Sequence, residues 1–276
     1  MRSVVEPARL GSAVAMNSVT FNLARAVGPI AATTVIAAFG FGAGFLVNAL
    51  SYVPVVLAMA VIHVRREAGG STRPEGLPGT IATLRERPHL AGLLLVVAAI
   101  AFSSDPVGTL APFLSTLLGR PDTDTGMVTG AFGIGGVTAA LVMRTGERSL
   151  RRMAVEMLVM GVSVAALGVA FRFEVALVAC FVAGFSYLTA QTAATTHLLL
   201  GTPAHVTGRI MALWGVAWLG VRPFASVIDG AIADVVGVQR ASMLMALPVL
   251  LAGIAVLVAP RLVHGERPAP MEAADP

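Results

Sequence analysis

Long apolar runs separated by short polar segments set the pattern of this chain. Eight runs are legible, at residues 13–38, 43–64, 90–114, 126–143, 154–171, 175–200, 210–235 and 241–260. Each is close to the roughly 20 residues an α-helix needs to cross a bilayer. Most connections are short, so successive helices are expected to lie antiparallel in a bundle. The pattern predicts an all-α polytopic membrane protein with eight transmembrane helices. The longest interruption, 65–89, opens on a flexible linker, Gly69-Gly70-Ser71-Thr72-Arg73-Pro74. Its second part, from Ile81 to Pro88, reads either as a short helix on the inner membrane surface or as a solvated connector. After Arg261 the chain turns polar and proline-rich and is expected to be disordered.

Composition agrees with the pattern. The chain is 56% hydrophobic and 12% charged, with a mean hydropathy of +0.83, too little polar surface for a soluble globule of this length. The lipid bilayer is therefore its first partner. All 19 basic residues are arginine. A sequence pI near 10.5 would suit nucleic acid only if the arginines shared one soluble face. Instead they alternate between loops. Arg120, Arg172 and Arg240 fall in one set of loops, Arg25 and Arg222 within spans, and the remaining fourteen in the other set and the two end segments. The positive-inside rule then puts both termini in the cytoplasm of a multi-pass inner (plasma) membrane protein. Met1 to Pro7 leads into a run longer than a signal peptide's apolar core, without a small-residue cleavage site. Cys180 is the single cysteine and reads as a buried apolar residue, so no disulfide framework or cysteine-rich metal site is expected.

One stretch occurs twice. Pro7-Ala8-Arg9-Leu10 leads into a helix carrying Asn17, Asn22 and Arg25 that is interrupted at Gly28-Pro29. Pro203-Ala204-His205-Val206 leads through Gly208-Arg209-Ile210-Met211 into a helix interrupted at Arg222-Pro223. From first to second proline the intervals are 22 and 20 residues, and one more apolar helix follows each. Same order and same direction read as a parallel internal repeat, the mark of two transporter halves related by an axis along the membrane normal.

These residues resemble a known family. Asn22-Leu23-Ala24-Arg25-Ala26-Val27-Gly28-Pro29, then Phe45-Leu46-Val47-Asn48-Ala49-Leu50-Ser51-Tyr52, and Gly208-Arg209-Ile210-Met211-Ala212-Leu213-Trp214 are similar to the major facilitator superfamily, especially its bacterial exporter branch with the enterobactin exporters. The resemblance implies efflux of a small molecule by alternating access, coupled to protons, with no cofactor. It aligns the chain with family helices five to twelve and so implies an N-terminally incomplete fold. In those terms residues 1–66 hold the last two helices of the N-terminal half, 67–89 the cytoplasmic linker, 90–263 the six-helix C-terminal half and 264–276 the tail. A missing N-terminal half is an implied partner, and a truncated or split transporter inactive alone is the alternative function. Ala31 and Ala32 replace glycines usual in the family, and Thr207 replaces an arginine often found before Gly-Arg.

Charges inside apolar runs carry the candidate chemistry, because a charge at bilayer centre costs roughly 2.5–3.5 kcal/mol and so faces a partner or a wet cavity. Arg25, Arg222 and Asp105 lie near mid-depth, and Asp229 one turn inside Asp234. Asp105 is expected to pair with Arg25 or Arg222, or with substrate; a purely structural ion pair is the other reading. Glu156, beside Arg151 and Arg152, is expected to snorkel to the inner interface. Tyr187, Gln191 and Thr195 recur at i, i+4, i+8 and share one helical face, either a hydrogen-bonded packing seam or a substrate-facing stripe. Gly126, Gly130, Gly133, Gly135 and Gly136 crowd one span, the spacing of close helix packing, with Ala24, Gly28 and Ala32 as the face the resemblance sets opposite. Asn22, Gly28, Pro29, Gly208, Arg209 and Pro223 are assigned to packing and gating. Pro106, Pro112, Pro223 and Pro248 are expected to kink their spans.

An enzyme would need clustered acids, histidines or a nucleophile with its base. His63, His89, His197, His205 and His264 are scattered. Nor does the chain carry the glycine-rich lysine motif that holds nucleotide phosphates.

Overall fold

In a computed structural model of the chain, the structure describes residues 31, 35, 38–39, 42–61, 77–121, 124–142, 149–202 and 206–264. These form helices in the order α1 (Val53–Val61, with 42–51 also helical), α2 (Leu77–Glu86), α3 (Pro88–Ser103), α4 (Pro106–Thr109), α5 (Ala111–Leu117), α6 (Thr125–Val142), α7 (Leu150–Leu167), α8 (Phe173–Gly201), α9 (Thr207–Gly215), a π turn (Val216–Gly220), α10 (Arg222–Val236), α11 (Val238–Met245) and α12 (Leu247–Val258). Five stretches among the described residues are long and apolar enough to cross a membrane: Pro88–Thr109, Thr125–Val142, Phe173–Gly201, Thr207–Val236 and Val238–Val258.

Three predicted spans differ. Nearly all of 13–38 lies outside the described residues. Gly42–Ala58 is a shorter apolar helix, and from Phe45 to Leu57 its side chains are exposed. In place of 154–171 stands α7, which begins earlier because Ser149 caps it, its hydroxyl accepting from the Arg152 amide at 3.2 Å. That start brings Arg151 and Arg152 into the same helix as Glu156. Arg152 and Glu156 approach to 3.9 Å at the α7 end where the sequence predicts snorkelling. The interval after the glycine-rich linker is helical, as α2.

Prolines break the spans where expected, and the broken ends are bonded. Pro106 has no N–H to give the Phe102 carbonyl, which accepts instead from the Asp105 amide at 3.2 Å. The predicted run 90–114 thus becomes α3, α4 and α5. The final span is interrupted at Ala246, before Pro248, and there the Val249 amide donates to Ser103 Oγ on α3 at 3.2 Å. One helix end caps the start of another. Ser103→Ala leaves that buried amide without its acceptor and is expected to cost about 1–3 kcal/mol. Amide hydrogen exchange at Val249, together with the thermal midpoint in detergent, reads this out.

The core is built from α3, α7, α8 and α12. Leu90, Leu93, Val97 and Ile100 meet Met153, Met157, Met160 and Val164, with the small residues of α8 between them, Cys180 included. Backbones approach most closely where glycines face carbonyls. A Cβ on Gly135 would meet the Phe181 carbonyl, and one on Gly184 the Phe132 carbonyl, so α6 and α8 touch reciprocally. Gly126, Gly130, Gly133, Gly135 and Gly136 are all buried in α6, and among the described residues Gly135 packs on α8. Ala24 and Gly28 lie outside those residues. Outward faces are apolar, with Phe224, Val227 and Val235 at 69%, 72% and 83% exposure along α10.

Candidate functional site

A polar cluster joins three of the apolar spans. The first contribution comes from the break between α3 and α4, where Ser104, Asp105 and Thr109 project. The second is the stripe Tyr187, Gln191, Thr195 on α8. The third runs down the helix from α9 to α10 as Trp214, Trp218, Arg222, Ser226 and Asp229.

Asp105 Oδ2 accepts from Thr109 Oγ1 and from Ser226 Oγ, both at 2.7 Å. The Arg222 guanidinium donates to Ser104 Oγ at 3.4 Å and to the Tyr187 hydroxyl at 3.3 Å. Tyr187 also accepts from Trp218 Nε1 at 2.8 Å, and Thr195 Oγ1 accepts from Trp214 Nε1 at 3.0 Å. The two indoles lie 4.9 Å apart, and Phe132 of α6 packs against the Tyr187 ring at 5.4 Å. The expected ion pair between Asp105 and Arg222 does not form. Each group takes hydroxyl partners instead, because the helix break directs Asp105 toward Ser226, one turn past Arg222. Arg25, the other partner proposed for Asp105, lies outside the described residues, as do Asn22, Gly28 and Pro29.

The cluster is only partly satisfied. Asp105 and Tyr187 are 8% and 4% exposed, and Asp229 is fully buried. Neither Asp229 oxygen, nor Arg222 Nε, nor either amide atom of Gln191 has a hydrogen-bond partner. The Asp229 carboxylate, the Arg222 guanidinium and the Gln191 amide thus stand among apolar helices with unused bonding capacity. Buried groups of this kind are costly in a purely structural core and useful where a ligand or ion completes them.

Other predicted positions lie apart from the cluster. Gly126 and Gly130 are buried in α6. Gly208 has open space where a Cβ would stand, so close packing does not require it, and Arg209 is half-buried at the start of α9. Pro223 follows the π turn and sits on the exposed side. Sequence reasoning passed over Trp214 and Trp218 as site residues, along with Ser104 and Ser226. The signal was present: positions 214, 218, 222 and 226 repeat every four residues, and they include both of the chain's tryptophans. An open groove of about 440 Å³ between α7 and α8, lined by Val162, Ala166, Val175 and Val178 with Ser163 and Glu174, shares no residue with the cluster.

Residues 1–274 match the family of transmembrane secretion effectors. The multidrug efflux pump Tap of Mycolicibacterium fortuitum is 25% identical over 252 residues, which is 88% of this chain and 61% of that protein. The chain therefore spans about 61% of the length of this curated relative. No solved structure matches it. With the family matched across nearly its whole length, the chain belongs to the transmembrane secretion effectors of the major facilitator superfamily.

Proposed function

We propose that the chain carries out efflux of a small amphipathic molecule across the cell membrane by alternating access, driven by protons, with both termini in the cytoplasm. The observation behind this reading is the cluster itself: polar side chains from three apolar spans converge, and Arg222, Asp229 and Gln191 among them retain free bonding capacity. The family match and the efflux pump named above support export as the direction. In this reading residues 90–263 form a six-helix unit, and Asp105, Asp229 and Arg222 hold the charges whose pairing changes as protons and substrate bind. Tyr187, Gln191, Thr195 and the two tryptophans line the substrate's path.

Asp105→Asn keeps the shape and an acceptor for Ser226 but removes the charge. Cells expressing the full chain and preloaded with ethidium are expected to lose the dye at least about tenfold more slowly with this variant, the cost of roughly 1.4 kcal/mol in the transport step. The wild-type rate is expected to collapse when a protonophore is added. An Asp105→Asn rate equal to wild type, at equal membrane abundance, would remove the carboxylate from the mechanism.

A further inference from the structure

Between Tyr187 and Thr195, one helical turn from each, α8 presents Gln191. The flanking hydroxyls hold Trp218 and Trp214 at 2.8 and 3.0 Å. Pairing of 187 with 218 and of 195 with 214 makes the two helices antiparallel, so Gln191 lies opposite the indole pair, whose rings are tilted by 34°. Its side chain is 7% exposed, yet neither the amide oxygen nor the amide nitrogen has a partner. Neighbouring threonine hydroxyls have already given their protons to backbone carbonyls. Thr192 donates to the Leu188 carbonyl at 2.6 Å, Thr189 to the Ser186 carbonyl at 2.8 Å, and Thr195 to the carbonyl of Gln191 at 2.8 Å. A primary amide offers two donors and an acceptor side by side. Left unpaired in a buried place, they cost more than one ordinary hydrogen bond returns. Both tryptophans are only half-buried.

We propose that Gln191, Trp214 and Trp218 form a subsite for a planar aromatic ring bearing an adjacent N–H and C=O on one edge, as in a lactam. The edge pairs with the Gln191 amide through two hydrogen bonds while the ring stacks on indole. This assigns a substrate class to the transport cavity proposed above and rests on that reading for its role in export.

The full chain's tryptophan emission reports on this place alone, since both tryptophans of the sequence lie in it. Titrated into the purified full-length protein in nanodiscs, 2-quinolone is expected to quench that emission saturably, with a Kd at least about tenfold below that of naphthalene. Gln191→Leu is expected to raise the 2-quinolone Kd roughly tenfold and to leave naphthalene binding within about twofold. N-methyl-2-quinolone, which lacks the donor, is expected to bind the wild-type protein no better than naphthalene, a comparison that needs no variant to fold. Equal affinity for lactam, N-methyl lactam and hydrocarbon, or a Gln191→Leu protein that binds the lactam as wild type does, overturns the subsite. Lactam selectivity without dye efflux counts against the transport reading alone, and efflux without lactam selectivity counts against the subsite alone.

Discussion

Gly184→Leu is expected to yield no folded protein, and Gly184→Ala a protein of sharply lowered thermal midpoint. A Cβ at this position would stand 2.6 Å from the Phe132 carbonyl carbon and 2.9 Å from its Cα, and closer still to the oxygen. Those atoms are backbone, so no rotamer change relieves the overlap. Helix α6 would have to move bodily away from α8, breaking the reciprocal seat of Gly135 on Phe181. Overpacking costs typically 1–3 kcal/mol where side chains can adjust, so a cost of at least about 3 kcal/mol is expected for alanine here and more for leucine. Gly230→Ala is the matched control, because nothing lies within 4 Å of its added Cβ. In a helix interior that exchange stabilises by roughly 0.5–1 kcal/mol. Size-exclusion profiles and melting curves in detergent separate the two, and a Gly184→Ala melt matching wild type would refute the contact.

The largest functional effect is expected at Arg222. Its guanidinium spans from Ser104 at the α3 break to Tyr187 on α8, and it is the cation of a cluster holding Asp105 and Asp229. Arg222→Met keeps the apolar stem and removes the charge, leaving two carboxylates in an apolar setting. Each of the hydrogen bonds the charged guanidinium makes is worth about 1.5–3 kcal/mol, so losing both costs at least about 3 kcal/mol. Carried by the transport step, this corresponds to a loss of ethidium efflux of at least about a hundredfold. Arg222→Lys keeps the charge on a compact ammonium that lacks the planar fork, so an intermediate loss of about tenfold is expected. A Met variant that inserts normally and exports at the wild-type rate would show that the charge plays no part.

Sequence periodicity located most helices of the described structure, since twenty-residue apolar runs have few alternatives in lipid. It also singled out Asp105, Arg222, Asp229 and the Tyr187-Gln191-Thr195 stripe, because depth and helical face follow from counting. Pairing did not follow. Whether Asp105 meets Arg222 or Ser226 depends on how far the chain turns at two irregularities, the break before Pro106 and the π turn at Val216–Gly220. The wider π turn offsets the angular drift that residues four apart accumulate in a regular α-helix, and so brings Trp214, Trp218, Arg222 and Ser226 to one side. Pro106 announces the first irregularity in the sequence, and Pro223 announces an interruption at the second without showing that it takes the form of a π turn. The α6–α8 contact shows a similar division. The sequence shows a glycine-rich run in α6, and the fold shows Gly135 of that run seated on Phe181 of α8.

That contact has a mechanical consequence. Where a glycine rests directly on a neighbouring carbonyl, no side chain separates the two backbones at that point, so α6 and α8 are expected to move as one unit. Bending is expected instead where the helices are irregular, at Ser104–Asp105, at Val216–Gly220 and at Ala246. The first two flank the charged cluster, and the third is tied to α3 through Ser103. The irregular points are thus gathered around the polar groups, while the glycine-seated pair α6 and α8 stands beside them.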